Sequence, residues 1–343
     1  MHLSRKFYAE YFRYGQKHRV MKRKQCRCYD NFFSYKIFQE IVMEEKRIDI
    51  NRDLCIGCGL CETICPTGTI SLVEEKATAS GDACIMCGHC EAVCPEAAIH
   101  VSGIDEEMSE YRTFTAVKHW LPPGNFETSM LVQLMASRRS CRNFTERPVK
   151  RDVLEDLVKT GITAPSGTNC QLWTFTIFPT RKAVLAFAGQ VANFYRRLNN
   201  TAENTIIRSF LKLIGKTELD EYYRGYYRKV KEGLEEWYSS GRDRLFHGST
   251  AAIIVGSRPG ASCPGEDAIL ATQNILLAAH SMGLGSCLIG FAVIAMRRDP
   301  SVRRSLGIPE EEEVHSVIAL GYPDEVYQRI AGRRKVTPRY FEV

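Results

Sequence analysis

The sequence lacks the apolar segments that membrane insertion and secretion require. No run among its 343 residues is long and apolar enough to span a bilayer. The N-terminus is basic and aromatic and has no apolar signal-peptide core. The net charge of +6 suits an anionic cofactor or an acidic partner but is too small to indicate nucleic-acid binding. We therefore expect a cytoplasmic protein with no membrane partner and no nucleic-acid partner.

Cysteine, in contrast, is abundant, and eight of the 14 cysteines form two runs with metal-ligand spacing. The runs are Cys55-x2-Cys58-x2-Cys61-x3-Cys65-Pro66 and, 29 residues later, Cys84-x2-Cys87-x2-Cys90-x3-Cys94-Pro95. In this pattern three thiolates of one run bind one 4Fe-4S cluster, and the fourth binds the other cluster. The sequence therefore predicts cluster 1 on Cys55, Cys58, Cys61 and Cys94, and cluster 2 on Cys84, Cys87, Cys90 and Cys65.

Two zinc sites are the alternative interpretation of these runs. Zinc modules usually contain separate C-x2-C pairs, whereas each run here has three ligands within seven residues and a closing Cys-Pro. Throughout residues 48–101 the pattern resembles the bacterial-type two-cluster ferredoxins. That resemblance implies a module that moves single electrons at low potential.

The chain divides into four zones: a basic N-terminal extension at residues 1–45, the ferredoxin-like module at 46–102, a linker at 103–125 and a larger domain at 126–343. In the extension, Cys26 and Cys28 are interpreted as ordinary thiols. In the larger domain, predicted helices at 126–137, 151–161, 182–199 and 266–282 alternate with predicted strands at 173–178, 251–256, 286–289 and 314–320. The fold class is α+β, with a mixed helix-and-sheet domain. A charged, aromatic tract at 200–240 is an insertion, interpreted as a helical lid or a dimer contact, with a partner-docking surface as the weaker alternative.

Several short motifs follow one another in the larger domain. An Arg/Ser-rich segment, Arg138-Arg139-Ser140-Cys141-Arg142, can hold a phosphate through guanidinium groups and a hydroxyl. It is followed by Pro165-Ser166-Gly167-Thr168-Asn169, by Leu288-Ile289-Gly290-Phe291 and by a basic Arg333-Arg334-Lys335. In order and spacing, residues 126–343 resemble the FMN-dependent nitroreductase family.

The resemblance implies an FMN site. Arg138, Arg139, Ser140 and Arg142 match the segment that grips the phosphate and ribityl chain, and Arg333 and Lys335 match a cationic pair at the phosphate. Pro165, Ser166, Gly167 and Asn169 match a loop along the flavin ring, usually contributed by the other subunit. Arg244 matches a basic residue at the pyrimidine edge. Ile289 and Gly290 match a turn whose amides face the ring.

The resemblance also implies a homodimer and a flavin-based oxidoreductase. Electrons would enter through the clusters, from a ferredoxin or another redox protein, and would leave to a small electron-poor acceptor such as a nitroaromatic or a quinone. The first alternative is NAD(P)H oxidation with outward transfer through the clusters. Since no dinucleotide-binding fingerprint is present, NAD(P)H would bind only transiently. A non-catalytic electron carrier or redox sensor is the second alternative. The resemblance also leaves a flavin-degrading or dehalogenating activity as a third, weaker alternative, which no residue specifically supports. No catalytic side chain is predicted, because a flavin supplies its own chemistry.

This sequence departs from the family pattern at two places. The family's Gln-Pro-Trp is replaced by Gln171-Leu172-Trp173, which leaves that loop less rigid. The position near the flavin N5 that is often acidic holds the apolar Ile289.

Overall fold

The chain forms a small cysteine-rich module followed by a larger helix-and-sheet domain. The computed structural model describes residues 48–80 and 83–342. The predicted extension at 1–45, with Cys26 and Cys28, lies outside these residues. In the described part, no helix is both long enough and apolar enough to cross a membrane. The arrangement is the α+β class that the sequence predicts.

The small module consists of two copies of one short unit. Strand β1 (Ile48–Ile50) pairs antiparallel with β4 (Ile99–Val101), and β2 (Ile70–Val73) pairs with β3 (Lys76–Ala79). Each cysteine run enters a short helix, α1 (Leu60–Ile64) or α2 (His89–Val93), through a left-handed glycine. Gly59 has φ 75° and Gly88 has φ 71°. The sequence repeat is therefore also a repeat of backbone conformation.

The larger domain is built on a four-stranded sheet in the order β5-β6-β8-β7. All neighbouring strands are antiparallel; they are β5 (Trp173–Phe178), β6 (Ala251–Ser257), β7 (Gly285–Leu288) and β8 (Glu313–Gly321). Every residue of β6 is buried, because helices cover both faces of the sheet. Strands β5 and β7 form the two edges.

Alternate residues of the central strands face two different helical layers. Ile253 packs in the core formed with α4 (Arg151–Gly161) and α9 (Pro264–Ser281). The next residue, Ile254, packs in the core formed with α5 (Arg181–Glu203) and α10 (Gly290–Arg298). This two-residue period is that of a strand with both faces covered. The domain is thus a three-layer structure with the sheet in the middle.

Helix α3 (Thr128–Ser137) precedes the sheet, and the 200–240 insertion contains α6 (Thr205–Leu213), α7 (Glu218–Gly225) and α8 (Tyr227–Ser240). A short α11 (Pro300–Ser305) follows α10. The predicted helix at 151–161 and the predicted strand at 173–178 coincide with α4 and β5. The segment 103–125 contains a 3-10 turn at Glu106–Ser109 and packs on α4, as described below.

Candidate functional site

The four cysteines assigned to cluster 1 line one small cavity. Cys55, Cys58 and Cys61 come from the first run, and Cys94 comes from the second. Cys94 lies there because α2 ends at this residue, where the backbone becomes extended (φ −74°, ψ 115°). Cys65 ends α1 in the same way (φ −68°, ψ 114°). The cavity thus unites the three-plus-one ligand set that the repeat predicts for cluster 1.

Backbone amides are directed at four of the cysteine sulfurs. They belong to Ala77, which donates to Cys55 Sγ at 3.4 Å, and to Thr69, Met86 and Ala98, which donate to Cys65, Cys84 and Cys94 Sγ at 3.3 Å each. Amides at these positions stabilise negatively charged sulfur. Soft thiolates with such donors fit iron–sulfur clusters.

The pKa values of the thiols vary with their surroundings. Burial would raise the pKa of Cys65, but hydrogen bonds from Thr67 and Thr69 outweigh it and lower this pKa to about 7. Burial raises the pKa of Cys90 to about 11. Coordination to a metal deprotonates a thiol outright. Among the described residues, no group of three His, Cys, Asp or Glu side chains is placed to hold a single metal ion. The cysteines need not meet at one point, because a 4Fe-4S cluster distributes its ligands over four irons.

The Arg/Ser-rich segment lies beside the edge strand β7. Ser140 forms a parallel bridge with Ser286, and the Cys141 amide donates to the Ser286 carbonyl at 2.9 Å. Arg138, Arg139 and Ser286 line a cavity here, and residues 325–331 line it as well. Within the part of the chain that the structure describes, no ion pair holds Arg138, Arg139 or Arg142. The buried Ser286 hydroxyl also has no partner. Unpaired guanidinium groups beside a free hydroxyl fit a polyol phosphate such as that of FMN.

Cys287 is buried against the same segment. Burial raises the pKa of its thiol, although Arg142, the Ser140 hydroxyl and Arg138 act in the opposite direction. The thiol is therefore neutral near pH 7, which favours a packing role for Cys287 over a redox role.

The loop at 165–171 is organised by a buried carboxylate that the sequence analysis did not single out. Asp267 Oδ1 accepts a hydrogen bond from the Gly167 amide at 2.9 Å, and Asp267 Oδ2 lies 3.6 Å from Cys170 Sγ. Ser166 Oγ accepts from the Gln171 amide at 3.0 Å. Asp267 lies in the first turn of α9, where an acidic residue is ordinary. No sequence signal therefore distinguished it.

Asn169, predicted to lie along the flavin ring, instead contacts the cysteine module in this protomer. Its Nδ2 donates to the carbonyls of Ile85 and Met86 at 3.1 and 2.9 Å. The amide of this side chain is therefore committed to the second cysteine run.

The structure holds the two predicted halves of the flavin site apart within one protomer. The 165–171 loop leads into β5, whereas the Arg/Ser-rich segment borders β7 at the opposite edge of the sheet. Three strand spacings separate these edges, or about 14 Å.

One predicted residue requires a correction. The Ile289 amide cannot face a flavin ring, because it donates to the Val317 carbonyl at 2.8 Å. The β7–β8 ladder simply continues for one residue beyond β7. The amide of Gly290, the first residue of α10, belongs to the helix N-terminus, whose amides have no acceptor within the helix.

The remaining predicted residues lie elsewhere in this protomer. The Arg244 guanidinium pairs with Glu236 of α8. Arg333 lies in the exposed C-terminal tail and donates to the carbonyls of Ala331 and Gly332. Lys335 lies in the same tail. The structure thus brings neither basic tail residue to the Arg138 segment, although residues 325–331 line its cavity.

Both parts of the chain match models of known families. The model of the nitroreductase family matches residues 135–322, more than half of the chain. The model of the 4Fe-4S dicluster domain matches residues 47–107. The chain belongs to the nitroreductase family. It is a flavoprotein oxidoreductase of that family with a 4Fe-4S domain on its N-terminal side.

Individual relatives are distant. The 4-nitrobenzoate reductase of Nocardioides sp. (strain LMS-CY) is 26% identical over 205 residues, which are 56% of this chain and 79% of the relative. The iodotyrosine deiodinase of Thermotoga neapolitana is 27% identical over 212 residues, 62% of this chain and 97% of the relative. Among solved structures, an FMN-bound nitroreductase from Bacteroides fragilis is 22% identical, with a TM-score of 0.42; the match covers 62% of this chain and 97% of that one.

Proposed function

We propose that the chain is an FMN-dependent oxidoreductase that receives electrons through two 4Fe-4S clusters and reduces a small, electron-poor organic acceptor. A nitroaromatic is the first acceptor to test, because one relative is named 4-nitrobenzoate reductase; a quinone is the second. FMN would supply the electron-pair chemistry. We also propose a cytoplasmic location and the four-zone division at residues 45, 102 and 125.

The observation that carries this proposal is the packing of the segment after the cysteine module, residues 103–125, on α4 of the larger domain. The buried Asp156 of α4 accepts hydrogen bonds from the backbone amides of Arg112 and Thr113 at 3.1 and 2.7 Å, and from the Thr113 hydroxyl at 2.6 Å. Lys159 adds bonds to the carbonyls of Glu107 and Glu110. Asn169 contacts the module itself at Ile85 and Met86. With its following segment held on α4 as well, the module is suited to exchange electrons with one site in the larger domain.

Different residues of the larger domain would bind different parts of FMN. Arg138, Arg139, Ser140 and Arg142 would bind the phosphate and ribityl chain through charge-assisted hydrogen bonds. The Gly290 amide, at the N-terminus of α10, would favour negative charge on the ring. Arg333 and Lys335 would reach the phosphate, and Arg244 the pyrimidine edge, after rearrangement from the positions described above.

Pro165, Ser166 and Gly167 would reach the flavin of a second protomer. The separation of the two sheet edges supports this division of the site between chains. The helix α3 supports it too: it is rich in apolar residues, yet none of its residues is buried in the protomer. We therefore propose a homodimer with FMN at its interface.

An anaerobic reduction experiment tests the direction of electron flow. Reduced ferredoxin and NAD(P)H are offered separately to cluster-replete protein while cluster and flavin absorbance are followed. The proposal expects ferredoxin to bleach the clusters first and the flavin next, followed by reoxidation with 4-nitrobenzoate or a quinone. Flavin reduction by NAD(P)H before the clusters would favour the outward route. A flavin that no acceptor reoxidises would indicate an electron carrier.

A further inference from the structure

The two cysteine runs share one sequence pattern but differ in their surroundings. In the first run, Ile56 is 63% exposed and Cys58 is exposed as well. Their counterparts in the second run, Ile85 and Cys87, are half-buried. Because the two units have the same backbone conformation, the difference arises from what packs against the second run, which includes Ile104 of the following segment beside Gly88.

Asn169 of the larger domain packs there. Its Nδ2 donates to the carbonyls of Ile85 and Met86, which both lie between the ligands Cys84 and Cys87. Its Oδ1 accepts a hydrogen bond from Gln171 Nε2 at 3.2 Å, which fixes the orientation of the amide. Asn169 has φ 54°, a conformation that asparagine tolerates better than most residues with a side chain. The loop therefore presents this amide to the module in a preset position.

A second contact of the larger domain, made by α4, lies close in sequence to Asn169. Helix α4 anchors the segment after the module through Asp156 and Lys159. The same helix ends at Gly161, a few residues before the 165–171 loop. The module is thus held on contiguous parts of the larger domain, and the first run is on the side left open.

We infer that Asn169 makes the second cysteine run the inner end of the module, so that cluster 2 is the cluster adjacent to the flavin domain and cluster 1 is the outer one. This inference rests on the proposed function. Asn169 acts as a positioning residue, since it contacts the loop that carries the ligands and not the reacting atoms. For each flavin reduced, the external ferredoxin clusters lose two electrons in total, these cross the contact one at a time, and the two protons come from water.

Two substitutions of Asn169 distinguish the loss of its amide donor from a change of charge or of backbone conformation. Asn169→Asp keeps the shape and the tolerance for positive φ but loses the donor. Asn169→Gly loses the donor without adding charge. Asn274→Asp is the matched control, because Asn274 Nδ2 donates to Thr163 Oγ1 at 3.1 Å on an exposed part of α9. All variants are compared as cluster-replete, FMN-loaded protein.

Anaerobic stopped-flow mixing with a dithionite-reduced two-cluster ferredoxin gives the first readout. Cluster bleaching should be unchanged in every variant. Flavin bleaching should be about tenfold slower in both Asn169 variants, the effect of weakening the docked state by one hydrogen-bonded amide. Asn274→Asp should match the wild type. Slowing in Asn169→Asp alone would assign the effect to charge and overturn the inference.

Hydrogen exchange measured by mass spectrometry on the oxidised protein gives a readout that is independent of turnover. Both Asn169 variants should exchange faster at residues 83–94 and at the wild-type rate at residues 54–65. Unchanged exchange at 83–94 would overturn the inference. If the wild-type flavin never follows the clusters, the proposed function fails, while the exchange result still reports which run is docked.

Discussion

At the scale of single residues, the two units of the cysteine module adopt the same backbone conformation with different side chains. Gly57 and Gly68 of the first unit correspond to Met86 and Ala97 of the second, and all four have positive φ, between 47° and 72°. Glycine is thus not required by the backbone conformation alone. It is required at position 57, because a Cβ there would lie 2.1 Å from the Glu75 carbonyl oxygen, whereas a Cβ at Gly68 would meet nothing within 4 Å.

Replacement of Gly57 by alanine should therefore prevent assembly of cluster 1. The added methyl group would displace either the cysteine loop or the β2–β3 turn that carries Glu75. We expect Gly57→Ala to bind about half of the wild-type iron and acid-labile sulfide, because cluster 2 keeps three ligands in its own run. Gly68→Ala is the matched control and should bind the full amount. Equal iron in the two variants would show that the Glu75 contact does not limit the loop.

Asp156 should hold the segment after the module in place. In the Asp156→Asn variant, tryptic cleavage after Arg112 or Lys118 should be about tenfold faster, because a buried carboxylate loses its charge-assisted hydrogen bonds. Asp152→Asn is the control: among the described residues, its carboxylate pairs with the exposed Arg112 guanidinium, and such a pair is worth little. Similar cleavage of both variants would contradict the assigned role.

The same carboxylate predicts a pH dependence. Burial would raise the pKa of Asp156, but hydrogen bonds from Thr113 and the Arg112 amide outweigh it and hold this pKa below its ordinary value. Its contribution is therefore complete above the ordinary value of about 3.9 and is lost as the pH falls through the lower, folded-state pKa. The ratio of cleavage rates, Asp156→Asn over wild type, should accordingly stay constant between about pH 6 and 8.

At the scale of elements, strongly periodic segments were predictable and contact-dependent ones were not. α4 and β5 were predicted with their observed bounds, because each has one clear hydrophobic period. α10 was not predicted: its Gly290-Phe291-Ala292-Val293-Ile294 run is apolar and short, and such runs do not distinguish a helix from a strand. The predicted strand at 286–289 is displaced by one residue from β7 (Gly285–Leu288), and the assignment of Ile289 to the flavin comes from the family resemblance alone.

The helix α3 makes a separate prediction about assembly. Met130 and Val132 are 58% and 55% exposed in the protomer, so a charge at either position leaves the protomer core intact. Val132→Arg should yield a monomer in size-exclusion chromatography and lose bound FMN, because both halves of the site are then no longer in one particle. Val73→Arg, on the exposed side of β2, should remain dimeric and loaded. A monomer that retains FMN would refute the shared site.

At the scale of the whole molecule, the two predicted halves of the flavin site belong to opposite edges of one sheet. The sequence places both halves in one chain, and the resemblance alone assigned them to different subunits. The sheet order β5-β6-β8-β7 supplies a physical reason, because three strand spacings, or about 14 Å, separate the two edges within one protomer. The order itself depends on pairings between distant segments, such as β6 with β8, which no local pattern predicts.

This geometry predicts complementation between two defective chains. A chain with Arg138→Ala and Arg142→Ala loses the phosphate-binding half of its sites, and a chain with Ser166→Trp blocks the ring-binding half. Each homodimer should bind little FMN. A heterodimer isolated through two different affinity tags should contain one defective site with both changes and one intact site, since each flavin takes its halves from different chains. It should therefore bind about half of the wild-type FMN, as measured by released flavin absorbance per dimer. If both halves came from one chain, each site of the heterodimer would carry a defect, and the heterodimer would bind as little as its parents.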